Sequence, residues 1–83
     1  MALAVEIMAP DSKVTTLDAN YISVPGSDGL FGILKGHAPL LAELGCGEIR
    51  FERVDGNSER VSVKGGFLLV KKDKVLILAD LNN

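Results

Sequence analysis

Ile49-Arg-Phe-Glu-Arg-Val-Asp-Gly-Asn-Ser-Glu-Arg-Val-Ser-Val-Lys64 is the stretch that decides the fold. Ile49 and Phe51 share one face and Val61 and Val63 another, with Arg50, Arg60, Ser62 and Lys64 between them. That period of two is the pattern of strands buried on one side only. Asp55-Gly56-Asn57 separates the two runs and reads as a hairpin turn, with Gly56 free to take a positive φ. Outward from this hairpin the pattern repeats. Leu3, Val5 and Ile7 alternate with polar neighbours, and so do Ile22 and Val24. Turn signals recur at Pro25-Gly26, Asp28-Gly29, Lys35-Gly36, Gly45-Cys46-Gly47, Gly65-Gly66 and Lys72-Asp73. They leave runs of about five to ten residues, which is strand length. Only His37-Ala-Pro-Leu-Leu41 invites a helical turn, too short for the core. The reading is all-β: one domain over residues 1–83, a flattened sandwich or barrel of about eight to ten short strands.

Composition narrows the function. With 9 Lys plus Arg against 11 Asp plus Glu, the chain carries a net charge of −2 and no basic excess for nucleic acid or anionic lipid. The single cysteine, Cys46, excludes a disulfide framework and a cysteine-rich zinc site. The longest apolar runs are too short to cross a bilayer, and Met1 to Glu6 shows no secretory signal. The expectation is a small soluble domain of a reducing compartment.

Two segments break the alternation. In Gly66-Phe-Leu-Leu-Val70, Phe67 and Leu69 point one way and Leu68 and Val70 the other. In Val75-Leu-Ile-Leu-Ala79, Val75 and Ile77 oppose Leu76 and Leu78. Either other parts of the same domain cover the second face, or a partner protein does. Two sheets already use a chain of 83 residues, so material for a third layer is scarce.

Chemistry is mostly absent. There is no phosphate-cradling Gly-x-x-x-x-Gly-Lys-Ser/Thr, and Gly29-Leu-Phe-Gly32 lacks the helices and basic flanks of a KH clamp. His37 has no companion ligand for a metal. Ser27, Asp28 and His37 could be named as a triad, but no nucleophile elbow surrounds Ser27. His37 reads more simply as a loop residue bonded to backbone, and Cys46 as a tight-turn residue. No cofactor is implied. Two non-enzymatic classes remain: a lipoyl or biotinyl carrier with its lysine in Lys71-Lys72-Asp73-Lys74, or a small interaction domain that docks on larger partners. The lysines lack the Met-Lys-Met or Asp-Lys-Ala setting of a carrier.

Val24-Pro-Gly-Ser-Asp-Gly-Leu-Phe-Gly-Ile-Leu-Lys-Gly-His-Ala-Pro-Leu-Leu41 resembles the hallmark of the epsilon subunit of F-type ATP synthases, the counterpart of mitochondrial delta. Ile7-Met-Ala-Pro-Asp11, Gly47-Glu-Ile-Arg50, and Lys64-Gly-Gly-Phe-Leu-Leu-Val70 with Val75-Leu-Ile-Leu-Ala-Asp80 match further family pieces in order. Together they cover almost the whole chain. The resemblance implies a β-sandwich and a non-catalytic subunit of the central stalk, partnered by gamma, the c-subunit ring and, through the complex, the alpha/beta head. It implies that Ser27, Asp28, Gly29 and Leu30 face the c ring, and that Ala9, His37, Leu40 and Ala42 lie toward gamma. It places the protein peripherally at the cytoplasmic face of a bacterial plasma membrane, or at an organellar inner or thylakoid membrane.

Some positions depart from the family pattern. Leu30 stands where many members are acidic, Lys35 replaces a common Pro, and Thr15 with Leu17 replaces a frequent Phe-x-Gly. Longer members continue past the position of Asp80 into two helices with an Asp-x-x-Arg-Ala ATP site. This sequence ends at Asn83, so no helical hairpin is expected from it.

Overall fold

A computed structural model describes residues 2–11 and 14–81. The outer limits of the expected 1–83 domain, Met1 and Asn82-Asn83, lie outside the described residues. Seven strands follow one another: β1 (Leu3–Met8), β2 (Val14–Gly26), β3 (Gly29–Leu34), β4 (Leu40–Leu44), β5 (Gly47–Arg53), β6 (Ser58–Lys71) and β7 (Lys74–Leu81). All neighbouring pairs are antiparallel except β1 with β7, which run parallel.

The all-β reading holds. The strand count of eight to ten does not, because two strands are long enough to serve both layers. The first part of β2 pairs with β1 through Leu3↔Ala19 to Met8↔Val14, and its second part pairs with β3 and β5. Likewise, the first part of β6 pairs with β5 and its second part with β4. Each change of partner sits near an irregularity, between Ala19 and Tyr21 in β2 and between Val63 and Gly65 in β6. A bulge adds a residue and bends the strand, which lets one strand turn a sandwich corner.

Gly66 shows why the β6 corner needs glycine. Its φ is +134°, and a Cβ there would collide with the carbonyl oxygen of Leu78 and lie 2.9 Å from Ala79 Cα. A side chain would push β7 off β6.

The front layer therefore holds the first part of β2, then β1, β7, the second part of β6, and β4. The back layer holds β3, the second part of β2, β5 and the first part of β6. Between them lies a core that includes Leu3, Ile22, Ile33, Ile49, Phe51, Leu68 and Ile77, all without solvent exposure. No polar or charged side chain is buried with them among the described residues. The period-two reading of Leu3, Val5 and Ile7, and of Ile49 and Phe51, named core residues in each case.

The Asp55 turn forms as the sequence predicts. Gly56 has φ +90°, and the Asn57 N–H donates to Asp55 Oδ1 at 2.9 Å. That bond holds the Asp55 carboxyl below its ordinary range, with Arg53 nearby as a lesser cause. The helical turn expected at residues 37–41 is absent. Residues 37–39 are irregular, and β4 begins at Leu40 because Leu40 to Leu44 pair with β6 from Val70 to Gly66. Tertiary pairing outweighs a local turn preference that Pro39 and its neighbours could equally abandon.

Candidate partner-docking site

The second face of β6 and β7 is open to solvent. On β6, Leu68 and Val70 are fully buried while Phe67 is 53% and Leu69 42% exposed. On β7, Val75 and Ile77 face the core and Leu78 is 45% exposed, with Leu76 half-buried. Strand β4 extends the surface, since Leu41 is 70% exposed while Leu44 turns inward. Cross-strand register aligns these residues in two rows. One runs Leu41, Leu69, Leu76, Glu6; the other runs Glu43, Phe67, Leu78, Met8. Val14, also exposed, continues the second row beyond Met8. Of the two readings open at the sequence level, cover by the same domain fails among the described residues. An apolar patch this continuous marks a surface for association.

An open hollow of about 960 Å³ occupies one end of this face, floored by Leu69 and Leu76 and edged by Glu6, Lys71, Lys72 and Lys74. The three lysines belong to the β6–β7 hairpin. Lys71 pairs with Lys74, and the two residues between have φ of 51° (Lys72) and 62° (Asp73). Two positive φ angles in succession make a type I′ turn, whose twist suits adjacent antiparallel strands. Asp73 ties that turn down. Its carbonyl accepts from Ala4 N–H at 2.9 Å, and its Oδ1 accepts from Gly36 N–H at 2.7 Å.

The residues expected at the c ring form the opposite end. Ser27 and Asp28 make a two-residue turn between β2 and β3, closed by the pairing of Gly26 with Gly29. All of Ser27, Asp28, Gly29 and Leu30 are exposed, Leu30 at 78%. The turn is braced from β4: Ser27 N–H donates to the Glu43 carbonyl at 3.1 Å, and Gly45 N–H to the Pro25 carbonyl at 2.7 Å.

The residues expected toward gamma are not gathered in one cluster. His37 lies in the β3–β4 link, half-buried, with Nδ1 donating to the Ala38 carbonyl at 2.7 Å. Leu40 and Ala42 pair with the buried Val70 and Leu68, so they lean to the inner side of β4, and Leu40 packs on the core. Ala9 follows the end of β1. They frame the apolar face along β4 and β1 and do not form it. Sequence reading identified both runs as two-sided without saying which row faces outward; the structure turns Phe67, Leu69, Leu76 and Leu78 out. That reading missed Leu41, whose only signal was that two successive leucines on a strand cannot both face the core.

No catalytic arrangement appears among the described residues. Ser27 and Asp28 are separated from His37 by the whole of β3, about 20 Å of extended chain. No group of three or more His, Cys, Asp or Glu able to hold a metal occurs among the described residues. Cys46 is free and exposed in the β4–β5 turn.

The profile of the ATP synthase delta/epsilon chain β-sandwich domain matches residues 2–81. The chain is 41% identical over 80 residues to the ATP synthase epsilon chain of Maridesulfovibrio salexigens, covering 95% of this chain and 55% of that one. It is 40% identical over 79 residues to that of Solibacter usitatus, covering 95% and 58%. The chain thus spans little more than half the length of these curated relatives. Among solved structures, a chain of the Euglena gracilis mitochondrial ATP synthase superposes with a TM-score of 0.87 at 21% identity, covering 94% of this chain and 50% of that one. One from the central stalk and c ring of Tetrahymena thermophila mitochondrial ATP synthase gives 0.74 at 20%, covering 96% and 64%. These two likenesses establish the fold. The carrier alternative is left without support, since the profile accounts for nearly every residue. A profile match over nearly every residue, with 41% identity to an epsilon chain, shows that the chain belongs to the delta/epsilon chain β-sandwich family of ATP synthases.

Proposed function

We propose that this chain is a non-catalytic subunit of the central stalk in the F1 sector of a proton-translocating F-type ATP synthase. In that role it docks gamma onto the c ring and couples ion flow to ATP synthesis on the alpha/beta head. The observation that carries the reading is the uncovered apolar face of β4, β6 and β7 on a member of this family. Gamma occupies that face, with Ala9 at one margin and His37, Leu40 and Ala42 at the other. A standard interface buries about 800 Å² per partner. That is a substantial share of the 5182 Å² that this chain exposes.

The β2–β3 turn supplies the second contact. Asp28 offers charge and Leu30 an apolar contact to the loops of the c ring, with Ser27 and Gly29 completing the tip. Two backbone bonds from β4 to the base of the turn link it to the strand that borders the gamma face. A load on the tip therefore passes through these bonds into the sheet that holds gamma. Through the c ring the protein sits peripherally at the cytoplasmic face of a bacterial plasma membrane.

Affinity purification of the tagged chain from its source cell tests this. Gamma and the c ring are expected to accompany it. Recovery without either, from membranes that retain an intact synthase, refutes the assignment.

A further inference from the structure

The apolar face is not electrically uniform. Its three lysines, Lys71, Lys72 and Lys74, crowd the corner at the β6–β7 turn. Glu43 on β4 and Asp80 on β7 lie away from that corner, while Glu6, Asp18 and Arg53 edge the same hollow as the lysines and leave it with a cationic excess. None of the three lysines forms an ion pair with a carboxylate of the described residues. The nearest acid within the turn, Asp73, already has Oδ1 engaged by the Gly36 N–H. Lys71 and Lys74 are directly opposed like charges, an arrangement that is unfavourable in the isolated sheet. The hollow they edge has an apolar floor, so a partner seated there brings its own charges close to the lysines with water displaced.

We propose that the lysine corner fixes the direction in which the docked partner lies. It does so by receiving carboxylates at one end of an otherwise apolar partner surface. The partner thus presents acidic side chains beside Lys71, Lys72 and Lys74, and no carboxylate cluster against Glu43 and Asp80. This rests on the docking of gamma at the face and adds the chemistry of the contact. Apolar burial holds the partner; the asymmetric charge selects one orientation out of those that shape permits, because the reversed seating opposes like charges.

Purified gamma from the same synthase is the probe, with binding rates measured at about 50 mM and about 0.5 M salt. Lys71→Glu combined with Lys74→Glu is expected to slow association about tenfold at the lower salt. At the higher salt the gap should close to less than twofold. Lys64→Glu, on the stretch of β6 outside the face, should leave both rates unchanged. Zero-length carbodiimide coupling of the unaltered chains should join gamma carboxylates to Lys71, Lys72 or Lys74. Rates that ignore the double reversal at both salts, or coupling only through Lys64, overturn the inference while leaving gamma docking in place. Failure of the unaltered chain to bind gamma at all removes the docking reading, and this inference with it.

Discussion

Single residues set the limits of this fold, Gly66 most sharply. Its positive φ and the carbonyl of Leu78 leave no room for a methyl group. Gly66→Ala is expected to cost about 3 kcal/mol, from backbone strain and a displaced β7 together. In a domain of this size that lowers the melting temperature by on the order of 15 °C, measurable by circular dichroism. Lys72 carries the opposite opportunity. It holds φ 51°, a conformation that suits Asn or Gly better than a long side chain. Lys72→Asn should stabilise by a few tenths to about 1 kcal/mol, raising the melting temperature by a few degrees. An unchanged or lower value would mean that the lysine itself contributes to the fold through contacts beyond the turn.

At the scale of elements, local chemistry was legible and long-range pairing was not. The Asp55 hairpin and the buried faces of β1 and β5 depend on residues a few positions apart, so the sequence displays them directly. The passage of β2 and β6 from layer to layer depends on which distant strands each half meets. Only Gly65-Gly66 announced such a corner; Asn20, at the irregularity in β2, gave no comparable signal. The start of β4 was read as a helical turn for the same reason, since its partner lies about thirty residues away in β6. The β2–β3 turn was legible because Asp28-Gly29 is a turn signal with strand on either side. That turn carries its own prediction. Asp28 and Leu30 are exposed, so their replacement should leave stability unchanged. Asp28→Asn removes a rim charge worth about 0.2–1 kcal/mol in an ion pair, and the effect is screened by salt. Proton pumping by reassembled complexes should show slightly looser coupling with Asp28→Asn, more at low ionic strength. Leu30→Glu should pump normally, as it restores an acidic tip. Full coupling with Asp28→Asn at every salt concentration, alongside uncoupling by Leu30→Glu, would reverse these assignments.

At the scale of the whole molecule, the two-sided strands carried the most information. Apolar residues on both faces of β6 and β7 mark a surface for association on one of those faces. The structure leaves that surface open and adds Leu41 from β4. What remained illegible was how the residues expected toward gamma are distributed, because Ala9 follows β1 whereas His37, Leu40 and Ala42 lie along the β3–β4 link and β4, across the sheet from it. Their common property is proximity to the borders of one sheet. The same molecule-wide view predicts an inert chain toward nucleotide: calorimetry with millimolar ATP should give no saturable heat, since no phosphate-cradling loop is present in the sequence.

The central claim is that gamma docks on the outer face of β4, β6 and β7. Leu69 and Leu78 stand in its two rows and are half exposed, so Leu69→Glu and Leu78→Glu should fold normally. The measurement is the affinity of each variant for purified gamma, with the melting temperature followed in parallel. Burying an unpaired carboxylate at an interface is strongly unfavourable. Each change should therefore weaken binding about a hundredfold or more while moving the melting temperature by no more than a few degrees. Unchanged affinity in both folded variants would contradict the account and place gamma elsewhere on the domain.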